Sequence, residues 1–517
     1  MLHILTGPAG SGKSEWCLNQ IGRLAESGKN TVIIVPEQSS YVMERAVTLR
    51  LPARLRPRCE MRSFRSLCSD VFAECGGMAR RLVDDAARAS IARRAVAKLS
   101  DSIVCFRRHR RDISFFSLCV SLIEECKNAG VSPEDLLRVL EQSPSELSRA
   151  RMREFALIYS QYEELLGSRY VDTASQISQA AALGEHCSFL TGKTFLLDGY
   201  TGFTTPQLSM ISCLLKNGND VVVTLCLDRL DETRKDVFSV VRGCGRTLRQ
   251  IAAGLGIPCR ITSLDGVPRF STKGTANLES FLRVGKPADD SADGVYMIAG
   301  DDRYQEISMV ADEIRLLVRD RGYVYRDIIV ISRDPEKYRT AIERTFGRYE
   351  IPMYSDSKRN MLFSPVSIFI LSAIDIAVSL TTDKLFSLLK TSLCDISDDR
   401  IGQLENYAYI WNLKSPDWKK PFTRSVRGLE TRQEPADIQQ LEQLESARVQ
   451  ILEWIAPLLK RTRDAGALIK NVYQVMRSSG LLDTVAVSSE VVQSEASVAL
   501  QMLASLFTLF DGERDGQ

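Results

Sequence analysis

Leu2-His3-Ile4-Leu5-Thr6-Gly7-Pro8-Ala9-Gly10-Ser11-Gly12-Lys13-Ser14 opens the chain, and its reading decides the fold. A short apolar run leads into glycines at 7, 10 and 12 and then Lys-Ser, which matches GxxxxGK[ST] in full. Just downstream, Trp16, Leu18, Ile21 and Leu24 fall on one side of a predicted helix. Thr31–Val35 (TVIIV) is an apolar, β-branched run of the kind that fills a buried parallel strand. Strand, glycine turn, helix and strand make a βαβ unit. Such a turn lets backbone N–H groups close around phosphate oxygens, and the helix N-terminus adds a positive partial charge. Gly7, Pro8, Ala9, Gly10, Ser11 and Gly12 are therefore candidates to cradle the phosphates of ATP. Lys13 is the candidate to reach the β- and γ-phosphates, and Ser14 to hold Mg²⁺. The competing reading, a glycine-rich turn without a ligand, does not need this strand–turn–helix context.

A P-loop site also needs an Asp at the end of a neighbouring apolar strand to hold Mg²⁺ through water. Phe195-Leu196-Leu197-Asp198 supplies it. Hydrolysing P-loop motors place a Glu directly after that Asp to polarise the attacking water, whereas this chain has Gly199, and the next carboxylate is Asp220. General-base catalysis is worth ~10²–10⁴-fold. The expectation is a site that binds ATP far better than it hydrolyses it. Alternatively, Asp198 simply ends a strand.

The remainder of the chain sets this unit in context. At 517 residues it should hold about three or four domains. With 44% hydrophobic and 26% charged residues it is of ordinary globular composition, and its net charge of +2 requires any nucleic-acid surface to be local. Thirteen cysteines without a CxxC pair suit free thiols in a reducing compartment, and with three histidines they give no zinc spacing or triad. No signal peptide precedes Gly7, and the apolar run Pro365–Leu380 carries Asp375, so a buried helix is expected there and a cytoplasmic protein without a membrane span. Asp301-Asp302 reads as a helix cap or a solvated face and not as a nuclease carboxylate pair. Further strands are expected at Thr194–Leu197, Asp220–Leu225, Val295–Ala299 and Asp327–Ser332, and helices at Gln207–Leu215, Glu306–Arg319 and Pro335–Phe346. The predicted class is α/β, with two P-loop (RecA-like) parallel-sheet domains and helical insertions. Residues 1–80 plus 184–285 form the ATP-binding domain, 81–183 a helical insertion, 286–294 a linker, 295–364 the first part of a second RecA-like domain, and 365–517 a second, incomplete helical insertion.

The P-loop and Asp198 lie about 180 residues apart with helices between, a spacing that resembles superfamily 1 helicases of the UvrD/RecB type. Val35-Pro36-Glu37-Gln38, Ser63-Phe64 with Leu67, and Asp198-Gly199-Tyr200-Thr201-Gly202-Phe203-Thr204-Thr205-Pro206-Gln207 closely resemble the AddB (RexB) family. Tyr323-x-Tyr325-Arg326-Asp327-Ile328, Ile351-Pro352-Met353-Tyr354 and Leu404-Glu405-Asn406-Tyr407 continue the likeness. The resemblance implies a heterodimer with an AddA-like motor subunit. That complex would act on double-stranded DNA ends and single-stranded DNA for recombinational repair, with this chain reading a DNA sequence. It implies that Arg333 contacts the γ-phosphate. It also implies that the family's nuclease domain and iron–sulfur cluster belong to a C-terminal part missing here, so that the sequence is a fragment or a truncated gene product. There are departures: no Gln-bearing motif precedes the P-loop, Gly199 replaces the catalytic Glu, and Cys226-Leu227-Asp228 lacks the GDxxQ pattern that couples ATP to DNA. The rival readings are an active helicase using Glu37 or Gln207 in place of the missing base, and a structural partner with a relic P-loop.

For DNA contact, the candidates are Ser63 and Phe64, by resemblance, and Arg107, Arg108 and Arg110 within Arg107-Arg108-His109-Arg110-Arg111. Phe64 would stack a base or fill the core. The arginines would meet phosphates or form a solvated helix end. Trp411 and Trp418, near Lys414, Lys419 and Lys420, would stack on DNA, pack the core or meet a partner protein.

Overall fold

A computed structural model describes residues 1–511 apart from 78–80, 140–144, 168–169, 233–235, 265–268, 288, 356–359, 430–433, 461 and 463. The chain divides into two compact units, Met1–Met297 and Ile298–Gln517.

The first unit is built on a parallel sheet of β1 (Leu2–Gly7), β2 (Asn30–Ile34), β3 (Cys59–Arg62), β6 (Lys193–Leu197), β7 (Asp220–Cys226) and β8 (Cys259–Ser263). β4 (Arg81–Leu82) and β5 (Tyr170–Val171) form a separate small pair. The order across the sheet is β3-β2-β6-β7-β1-β8, with every pairing parallel. The alternation of side chains along each strand divides the core in two. Val32, Ile34, Phe195, Leu197, Val221, Val223 and Leu225 point to one face. Ile33, Val35, Leu196 and Val222 point to the other, where they meet Cys17, Ile21 and Ala25 of α1 (Lys13–Glu26) and Val47 of α2 (Ser40–Arg50). Being buried on both faces is what makes the central strands continuous apolar runs. On the first face lie α3 (Phe64–Cys75), α8 (Thr173–Leu183), α9 (Thr205–Lys216) and α10 (Ser239–Gly254).

Between β4 and β5 run α4 (Asp85–Lys98), α5 (Ile113–Ala129), α6 (Pro133–Val139) and α7 (Glu146–Leu166), the helical insertion. Phe115, Phe116, Cys119 and Ile123 of α5 are buried as their spacing predicts, with Leu122 at the margin. Lys127 of α5 pairs with Glu163 of α7 and with Asp172, and Arg88 of α4 pairs with Glu124 of α5 at 2.7 Å, so ion pairs tie α4 and α7 to α5. α8, which the sequence reading assigns to the insertion, places Ile177, Ala180 and Ala181 in the core of the sheet. The supposed linker is also tied down. Asn277 of α11 (Lys273–Val284) donates to Ser291 O (2.8 Å) and accepts from Asp289 N (3.2 Å).

The second unit contains α12 (Arg303–Arg321) and α13 (Pro335–Arg348), packed through Ile307, Ala311, Ile314, Ala341 and Phe346. A larger all-helical core follows, formed around α14 (Pro365–Val378), which is the apolar run that carries Asp375. Asp302 is the N-cap of α12, accepting from Gln305 N at 2.8 Å. The strands expected at Val295–Ala299 and Asp327–Ser332 are not formed among the described residues. Both segments are apolar, but a strand needs a neighbour to take its N–H and C=O groups, and here no described strand lies beside them. Met297 (99%), Ile329 (80%) and Ile331 (83%) are exposed. The sheet that makes this protein α/β is thus the one in the first unit. No described helix is long and apolar enough to cross a membrane.

Candidate nucleotide-binding site

β1 ends at Gly7 and α1 begins at Lys13, so residues 7–12 turn at the carboxyl edge of the sheet, where parallel α/β folds bind ligands. The glycines are required by geometry. A Cβ on Gly7 would lie 2.3 Å from Ser11 Oγ and 3.1 Å from Leu264 O, while Gly10 and Gly12 have φ of +81° and +86°. Ser11 is buried and its N–H donates to Pro8 O (3.2 Å). Lys13 folds back into the loop, its ammonium donating to Gly7 O and Pro8 O at 2.7 Å each. Burial pushes the Lys13 pKa down, against the opposing pull of Cys226 and Asp198. The ammonium thus rests on neutral carbonyl acceptors of the loop.

Asp198, at the end of β6, is buried and fixed from three directions. Its N–H donates to Ile34 O (3.1 Å), Ser14 Oγ donates to its Oδ2 (2.8 Å), and Thr224 Oγ1 of β7 donates to its Oδ1. The motif pattern alone does not single out Thr224. Its signal is a single hydroxyl interrupting the run Asp220-Val-Val-Val-Thr224-Leu225. A hydroxyl and a carboxylate are hard oxygen donors suited to Mg²⁺. No group of three or more His, Cys, Asp or Glu side chains among the described residues could hold a metal, so the remaining oxygens would come from nucleotide phosphates and water. Bound there, Mg²⁺ would neutralise phosphate charge.

Gly199 follows Asp198 with φ +82°, and a Cβ on it would meet Pro36 Cδ at 3.5 Å. The backbone at this position is left-handed. Gln207 is committed as a cap, its Oε1 accepting from Thr204 N at 2.9 Å. Glu37 lies close enough to Tyr200 to add to the rise of that phenol's pKa, which comes mainly from burial. The loop after β7 is held by a buried cluster in which Arg242, 1% exposed, pairs with Asp236 (2.9 Å) and Asp228 (3.2 Å).

The other candidates belong to other elements of the chain. Ser63 is the N-cap of α3, exchanging hydrogen bonds with Ser66. Phe64 is buried, edge-on to Tyr200 (5.7 Å) and Phe203 (6.2 Å), so its ring fills the core and offers no face to a base. Arg107 and Arg108 are exposed, on a short 3₁₀ turn. Arg110 donates to Ser100 O (2.7 Å) and Arg107 O (3.2 Å). The buried carboxylate of Glu154 anchors the preceding residues by accepting from Val104 N, Cys105 N and Phe106 N. Arg333 is exposed in the second unit, just before α13. Trp418 is fully buried, its Nε1 donating to Thr382 Oγ1, and Trp411 Nε1 donates to Ser425 O, so both pack internally.

A P-loop between a buried parallel strand and its helix, an Asp after β6, one strand removed from β1, and a large helical insertion together define a helicase-like α/β fold. The chain belongs to the AddB family: the model for "ADDB, N-terminal" matches residues 4–279, more than half of it. It is similar to a protein of Clostridium perfringens strain 13 named as the B-type subunit of an ATP-dependent helicase/deoxyribonuclease, 29% identical over 471 residues (87% of this chain, 40% of the relative). The protein of the same name from Desulforamulus reducens is 28% identical over 528 residues (97% and 45%), and that from Thermoanaerobacter sp. X514 is 28% identical over 437 (82% and 38%). The chain spans less than half the length of these relatives.

Proposed function

We propose that this chain is the nucleotide-holding part of the AddB-type component of a cytoplasmic helicase–deoxyribonuclease that processes double-strand break ends for recombinational repair. ATP·Mg²⁺ binds at Gly7–Ser14 and Asp198. Turnover is slow because no carboxylate follows Asp198. The motor is an AddA-like partner, and this chain contributes DNA binding and sequence reading, with Ser63, Arg107 and Arg108 touching the strand. The observation that carries the reading is a complete, Asp198-linked P-loop beside a left-handed Gly199. The names of the relatives support the assignment to an ATP-dependent, DNA-degrading complex of more than one polypeptide.

The test is ATP binding and ATP turnover on the purified chain, with and without single-stranded DNA. Tight binding with negligible turnover is expected. Robust DNA-stimulated turnover would overturn the reading in favour of an active helicase. That rival now depends on Glu37, because Gln207 is engaged as a cap. No measurable nucleotide affinity would favour a relic P-loop.

A further inference from the structure

β8 is the parallel neighbour of β1, so the chain leaving β8 must pass the phosphate loop. Leu264 N donates to Thr6 O at 2.8 Å, continuing the pairing beyond the strand. The chain then returns to the loop at Arg269 and Phe270. A Cβ on Gly10 would lie 3.0 Å from Arg269 Cβ, 3.6 Å from Arg269 Cδ and 3.5 Å from Phe270 Cε2. Thr272, two residues later, caps α11 and fixes the segment's exit by accepting from Thr275 N. A guanidinium and a phenyl ring are thereby held at the rim of the P-loop, the first exposed and the second half-buried. Arg269 has no hydrogen-bond or ion-pair partner among the described residues.

A P-loop grips phosphates through backbone N–H groups and does not read the base. We propose that Phe270 and Arg269, in the segment that follows β8, complete the nucleotide site: Phe270 is the platform on which the nucleotide base stacks, and Arg269 is a phosphate contact. The proposal rests on the nucleotide-binding reading of the P-loop. Every base has a π-face, so such a platform distinguishes a nucleotide from a bare polyphosphate without selecting strongly among bases. Arg suits the second role because its planar fork matches phosphate oxygens.

The test compares binding of ATP and of inorganic tripolyphosphate to the purified chain. Phe270→Ala should weaken ATP by about tenfold or more while leaving tripolyphosphate unchanged. Phe270→Leu, which keeps the bulk but loses the π-face, should behave likewise, and Phe270→Tyr should retain ATP affinity. Arg269→Ala should weaken both ligands. The proposal is overturned if Phe270→Leu or Arg269→Ala binds both ligands as the parent does. It is equally overturned if either variant binds both more tightly, since the segment would then be a plug over the loop. Lys13→Ala separates the two levels: loss of ATP binding in that variant alone leaves the P-loop reading standing and removes Phe270 and Arg269. Unchanged ATP binding in Lys13→Ala removes the P-loop reading itself.

Discussion

Ser14 Oγ donates to Asp198 Oδ2 across 2.8 Å, joining the first turn of α1 to the end of β6 over 184 positions of sequence. This contact lies where a hydroxyl and a water-held carboxylate flank Mg²⁺ in a loaded P-loop. Asp198→Asn keeps the contact with Ser14 but removes the charge. ATP affinity measured with Mg²⁺ should fall in Asp198→Asn towards the value measured in EDTA, while the EDTA value stays near that of the parent. An unchanged Mg²⁺ dependence would remove Asp198 from the site.

The glycine after Asp198 is set by the backbone. Gly199 has φ +82°, where an L residue is disfavoured by about 1–2 kcal/mol. Pro36 leaves ordinary contact distance for a Cβ, so the obstacle is conformation and not space. Gly199→Glu should therefore lower stability by about that amount, as should Gly199→Ala, and neither should raise ATP turnover. Urea titration and a turnover assay decide it, and turnover in Gly199→Glu at the rate of a motor enzyme would contradict the reading.

Arg107 and Arg108 stand exposed on a turn whose approach is pinned by Glu154. If they meet phosphates, Arg107→Ala with Arg108→Ala should weaken single-stranded DNA binding for all sequences alike. It should also flatten the dependence of log affinity on log salt by about 1.4, near 0.7 per lost contact. An unaltered slope would assign the turn to solvent.

Glu154 carries a pH prediction. Burial pushes its pKa up, but the N–H groups of Cys105, Val104 and Phe106 together outweigh this and hold it below the ordinary carboxylate value. With the folded pKa depressed, its stabilising contribution is fully present above the ordinary value and is lost as pH falls through the depressed one. Glu154→Gln should thus destabilise the insertion at neutral pH, and the gap from the parent should shrink as the solution is acidified. Hydrogen exchange at residues 104–106 reports it, and a gap that stays constant with pH would count against the carboxylate's role.

Arg242 is a stability prediction without a functional role. Removing one partner of a buried ion cluster leaves uncompensated charge at a cost of about 3–5 kcal/mol. Arg242→Met should therefore lower unfolding stability by that order, measured by denaturant titration. A loss below about 1 kcal/mol would mean that Asp228 and Asp236 find solvent instead.

What the sequence disclosed and what it withheld follow from range. β1, β2, β6 and β7 are central, covered on both faces, and read directly as apolar runs. β3 (Cys-Glu-Met-Arg) and β8 (Cys-Arg-Ile-Thr-Ser) are edge strands, half exposed and mixed in composition, and nothing local marks them. Residues 295–299 and 327–332 show the converse case: apolar, β-branched composition without a neighbouring strand. The P-loop was legible because its chemistry is contiguous. Thr224, Arg269 and Phe270 reach the site only through the order of the sheet, which no local pattern encodes.

The pairing of β4 with β5 makes the helical insertion a detour whose entrance and exit coincide. Leu82 and Val171 are register partners on parallel strands, about 4.8 Å apart, little more than the 3.8 Å spanned by one peptide link. Residues 83–170 could be cut out and Leu82 joined to Val171 with the chain still heading the same way into α8, whose side chains stay in the sheet's core. The parallel-sheet layer therefore has a continuous path without its largest elaboration.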